Sequence, residues 1–157
     1  MKRMILFSVC FFPYFSLSAG PLNKAQVDAG AKWLLHLDLE AFKKSSFGTL
    51  AISEIQSRYG DQIAALEELF GSNPLKDLNQ ITLYGPDSND KNAILIVQGR
   101  FNPEKLLALP ALNSAYVKTF YRNYTIHEWT DPDHGKNQVG VFARGDLIIL
   151  SQTRRPV

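Results

Sequence analysis

His36, Asp38 and Glu40 are the residues of this 157-residue chain whose types and spacing come nearest to chemistry. From Trp33 to Ala41 they alternate with Leu35, Leu37 and Leu39, so an extended strand would place one imidazole and two carboxylates on one face. Those groups are donors for zinc or a similar divalent ion, and they can also exchange a proton. Same-face neighbours on a strand stand about 7 Å apart, which is long for a single ion. A metal site built on His36, Asp38 and Glu40 therefore needs a ligand from another strand, and His127 is the candidate. The plainer reading is a solvated sheet face, since antiparallel sheets commonly leave one face wet, and it outweighs the metal reading.

Other chemistries find less support. Asp87, Asn89 and Asp90 resemble the start of a calcium loop, but Lys91 takes the fifth position and no glycine follows. Asp131, Asp133 and Gly135 fail in the same way, so both stretches read as turns. There is no Gly-x-Ser-x-Gly elbow, no glycine-rich phosphate loop and no His-Glu-x-x-His. Trp33, Trp129, Tyr121, Tyr124 and Phe142 can form a sugar-binding platform, yet strand aromatics more often fill cores. No catalytic residue is assigned and no cofactor is expected.

The elements that position these residues follow from periodicity. The first is the strand at Trp33. Leu50 to Phe70 changes to three- and four-residue steps through Ile52, Ile55, Tyr59, Ile63 and Leu66, which predicts an amphipathic helix. Gly60 is a place for a kink, Gly71 a C-cap, and Asn73-Pro74 a stop. Strands are expected at Gln80 to Tyr84, Ala93 to Val97, Tyr121 to Trp129, Val139 to Arg144 and Leu147 to Ser151. Pro103 to Leu109 reads as a short helix capped by Asn102 and ended by Pro110. Leu112 to Lys118 reads as neither helix nor strand by pattern. The order predicts an α+β fold: a ferredoxin-like β-α-β-β-α-β antiparallel sheet extended by a C-terminal β-hairpin, with the helices on one face. Its first strand would be central, and Leu35, Leu37 and Leu39 would face Ile55, Ile63 and Leu66.

Residues 1–19 read as a signal peptide: Met1-Lys2-Arg3, an apolar run from Met4 to Leu17, then Ser16-Leu17-Ser18-Ala19 as a cleavage site. The run is shorter than the ~20 residues that span a bilayer, so no stable membrane insertion is expected after cleavage. Cys10, the sole cysteine, falls within it, which leaves the mature chain without thiol chemistry. Residues 20–31 are a lead-in, and 32–157 a single α+β domain. Of the 17 basic residues only Lys2 and Arg3 are lost on cleavage, leaving 15 against 15 acidic ones. A neutral chain without a basic stripe argues against nucleic acid.

Trp33 to Asp38, Leu69 to Gly85 and Gly99-Arg100-Phe101-Asn102-Pro103-Glu104-Lys105-Leu106 resemble uncharacterised secreted bacterial proteins with a signal peptide and an α+β body. The resemblance spans Lys32 to Ser151 and implies a secreted or periplasmic location, but it carries no assigned activity. Relatives of this kind run on past such an end, so the resemblance also implies truncation at the C-terminus. The sequence thus leads to an exported, non-catalytic domain that binds a protein partner or forms a homodimer through its sheet. The alternative is a metal-dependent or acid–base enzyme using His36, Asp38, Glu40 and His127.

Overall fold

Asp38 ends the first strand and begins a helix in the computed structural model, which describes residues 22–154. Residues 1–19, expected from the sequence to be a signal peptide, lie with Cys10 and the last three residues outside the described residues. Strand β1 (Trp33–Asp38) passes into α1 (Leu39–Lys44) because the Asp38 carboxylate accepts the Ala41 N–H at 2.8 Å. The apolar alternation therefore stops at Asp38, and Leu39, Glu40 and Ala41 are helical. Ser45 breaks the chain and caps α2 (Ser46–Phe70) by accepting the Gly48 N–H. A Cβ at Gly48 would collide with the Phe42 carbonyl, so this tight corner requires glycine.

The kink foreseen at Gly60 falls one residue earlier, where Tyr59 leaves helical geometry at φ −127°, ψ 19°. Gly71 closes α2 in the left-handed region at φ 68° and donates to Glu67 O. After α3 (Pro74–Asp77) come β2 (Leu78–Gly85), β3 (Ile94–Gly99) and α4 (Pro103–Ala111). Pro110 lies within the last turn of α4 and does not end it. The aromatic stretch expected as one strand is a hairpin: β4 (Val117–Tyr121) and β5 (Tyr124–Thr130) turn at Arg122-Asn123, with Arg122 at φ 52°. The final hairpin, β6 (Asn137–Arg144) and β7 (Leu147–Ser151), forms as expected.

The fold is α+β, with one seven-stranded antiparallel sheet in the order β1-β2-β3-β7-β6-β5-β4 and four α-helices among the described residues. This is not the ferredoxin-like order. There β1 would be central; here, among the described residues, it is an edge strand paired only to β2, and β7 fills the central position beside β3. Leu147 and Ile148 explain the exchange. Consecutive residues point to opposite faces, and both are buried, so β7 needs cover on both sides. β1, with its polar row, tolerates an edge.

The register defines the two faces. Leu34, His36 and Asp38 share one with Tyr84, Ile96 and Leu147; Leu35 and Leu37 share the other with Leu83, Leu95 and Leu150. The best-buried cluster, Tyr84, Ile96 and Leu147, is on the His36 face, where Val27 and Ala31 of the lead-in pack against it. The expected core is thus corrected. Leu35 and Leu37 are 51% and 44% exposed, and of the helix residues assigned to meet them only Ile63 is buried. The cluster on the His36 face is covered by the N-terminal segment through Val27 and Ala31.

Candidate functional site

His36 meets Thr82 directly across the β1–β2 ladder, with Nδ1 2.9 Å from Oγ1. Asp38 lies on the same face, but one of its oxygens is committed to the Ala41 amide. Glu40 leaves the row altogether. It is helical and holds Lys44 at 2.7 Å, an exposed pair spaced by one helical turn that raises the lysine's affinity for its proton. His127 is on β5, five strand steps from β1, or about 24 Å at the usual strand spacing. By register it also points to the opposite face, since His36 aligns with Ile126. The four residues of the alternative metal reading, His36, Asp38, Glu40 and His127, are not brought together. Among the described residues no three His, Cys, Asp or Glu side chains converge on one point.

The two acidic loops do turn chemistry. Asp87 accepts the Asn89 amide and the Asn92 side chain, and its carbonyl receives the Trp33 indole N–H at 2.6 Å. Asp131 accepts the Asp133 amide and holds His134, contacts that lower its proton affinity, the His134 hydrogen bond most of all. Gly135 closes that loop at φ 61°. Nor do the aromatics form one platform. Tyr121 and Tyr124 pair on the His36 face, whereas Trp33, Trp129 and Phe142 lie on the other, with Trp33 strands away from the rest.

What the structure does assemble is a buried histidine that periodicity alone did not single out as buried. His127 is 5% exposed and accepts or donates one hydrogen bond at Nδ1, to the Tyr116 hydroxyl at 2.7 Å. Tyr116 stacks on the imidazole and Phe142 meets it edge-on. Burial pushes His127 below its ordinary value, with the nearby Lys118 charge adding to the effect, and burial pushes the Tyr116 phenol up. At neutral pH this is a neutral pair that pins the segment before β4 to the sheet. Tyr116 fell in the stretch left unassigned by pattern, and that hid the contact.

Two further features escaped the sequence reading. Phe70, Leu106, Leu109, Leu112, Trp129 and Pro132 line an open groove of about 820 Å³ where the end of α2 and α4 approach β5. Asn73, 3% exposed, ties the same end of the molecule together. Its side chain caps α3 and donates to Glu67, and its amide donates to Asp77 at 2.7 Å. That amide, more than the adjoining Arg100 guanidinium, holds the Asp77 carboxyl below the usual range.

No protein-family model, curated protein or solved structure matches the chain. No helix of the described residues is long and apolar enough to cross a membrane.

Proposed function

We propose that the chain is an exported, non-catalytic domain that works by binding protein, either a partner or itself. The observation behind this reading is exposed apolar surface among the described residues. Leu34, Leu35 and Leu37 on β1, Phe47, Leu50, Ile55, Tyr59, Leu66 and Leu69 on α2, and Val117, Phe120, Tyr121 and Tyr124 on β4 and β5 are all exposed. Among the described residues no large side chain is fully enclosed. Exposed apolar patches beyond a few hundred Å² usually mark an interface. Export rests on the n-region, apolar run and small-residue site of residues 1–19.

A hydrophobic reporter dye titrated into the purified chain, beside light scattering over a concentration series, tests the binding reading. Dye enhancement or concentration-dependent association is expected. A monomer that binds no dye overturns it. Mass spectrometry of exported protein should find a mature start at Ala19 or Gly20, and an intact Met1 on the secreted chain overturns export.

A further inference from the structure

We infer that the edge of β1, which among the described residues pairs only with β2, is where a second copy of this chain docks, by antiparallel strand pairing about a two-fold axis at Leu35. This deepens the protein-binding reading above and rests on it. An unpaired strand edge is a template for another strand, and proteins usually block it with proline, lysine, a bulge or a covering element. The two ends of this sheet differ in that respect. β4, at one end, is five residues long, contains Lys118 and is followed by Arg122 in a strained turn. β1, at the other, has six residues with no proline, lysine or arginine and pairs to β2 without a register shift. It is exposed on both faces, through Leu34 on one and Leu35 and Leu37 on the other.

The sequence of β1 is complementary to itself in one register. Antiparallel partners must lie on the same face, so only registers shifted by two residues compete. With Leu35 opposite Leu35 of the second copy, Trp33 meets Leu37 and Leu34 meets His36. Just beyond, Lys32 meets Asp38. Every apolar residue of the leucine face then has an apolar partner, and the two charged ends pair with opposite sign on both sides of the axis. Moving the axis to His36 sets His36 against His36 and Leu34 against Asp38. Moving it to Leu34 leaves Lys32 facing His36. Charge and apolar pairing select the axis at Leu35, and the product is a continuous fourteen-stranded sheet across two chains, built by an isologous contact.

Cysteine cross-linking reads the register. In a Cys10→Ser background, Leu35→Cys places two thiols across the axis at a Cα separation of about 4.5–5.5 Å, within disulfide reach. Oxidation is expected to give a covalent dimer with Leu35→Cys and none with His36→Cys or with Phe120→Cys on the other edge. Independently, Lys32→Glu, an exposed change outside β1, is expected to weaken dimerisation by about 5- to 30-fold, since two symmetric pairs become repulsive. A chain that dimerises but cross-links equally at Leu35 and Phe120, or is indifferent to Lys32→Glu, overturns this interface while leaving protein binding intact. A dye-binding monomer at all concentrations also overturns it, and leaves the edge to a strand from another protein. A monomer that binds no dye overturns both.

Discussion

β1 is rich in leucine and β7 in leucine and isoleucine, yet one is an exposed edge and the other the centre of the sheet. Their difference lies in what stands between the apolar residues. β7 runs Leu147-Ile148-Ile149-Leu150 with no polar residue, so it gains from cover on both faces and is paired on both sides. β1 alternates leucine with His36 and Asp38, and its last residue is spent as a helix cap. An edge costs β1 little and would cost β7 two apolar rows.

The sharpest way to break that comparison is in the centre. Ile96, paired to Ile149 of β7 and 4% exposed, should lose about 2–5 kcal/mol of stability as Ile96→Ala, read as a shift in denaturation midpoint. A loss below 1 kcal/mol would mean that the centre is no better packed than the edge.

Next in size is the knot beside β2. Asn73→Ala removes a helix cap and a part-buried side-chain hydrogen bond to Glu67, and should cost about 1–3 kcal/mol in the same measurement. It should also weaken the hold of the Asn73 amide on Asp77. The Asp77 carboxyl is depressed in the fold, so its contribution is present above the ordinary carboxylate value near 3.8 and is lost as pH falls below it. Asn73→Ala should therefore flatten the stability loss below that pH.

A smaller effect separates the β5 side of the sheet from β1. His127 is depressed in the fold, so the unfolded chain takes up a proton first as pH drops below about 6.5. Stability is unaffected above that value and declines below it. Denaturation midpoints at pH 7.5 and pH 5 should fall more for the natural chain than for His127→Gln. Equal falls would show that the Tyr116 contact encloses no titrating group.

The smallest effect belongs to β1 itself. Leu37→Ala, at a position 44% exposed, should cost less than about 1 kcal/mol in dilute chain, against the several lost at Ile96. Comparable losses at the two positions would erase the distinction between edge and centre.

Several features were legible because they depend on neighbours along the chain. The strand at Trp33, the three-and-four spacing from Ile52 to Phe70, the Gly71 cap, the Asn102 cap and the Leu147 hairpin all stand where periodicity and capping chemistry put them. The errors share a physical cause. Asp38 belongs equally to a polar strand row and to a helix N-cap, and the amide of Ala41 decides between them. Arg122-Asn123 reads as part of an aromatic strand until the chain reverses there and pairs Tyr121 with Tyr124.

The sequence by itself determined where most strands and helices lie, and it carries no familiar catalytic motif. Strand order was decided only in three dimensions, because alternation says which residues share a face and nothing about which strand lies alongside. The same holds for the candidate site. His36 and His127 carry the same chemistry in the sequence, but five strand positions and a change of face separate them in the fold. Which face becomes core was likewise settled by a segment outside the strands. Val27 and Ala31 reach the His36 face, and the removal of apolar surface from water there outweighs the pattern that marked that face as wet.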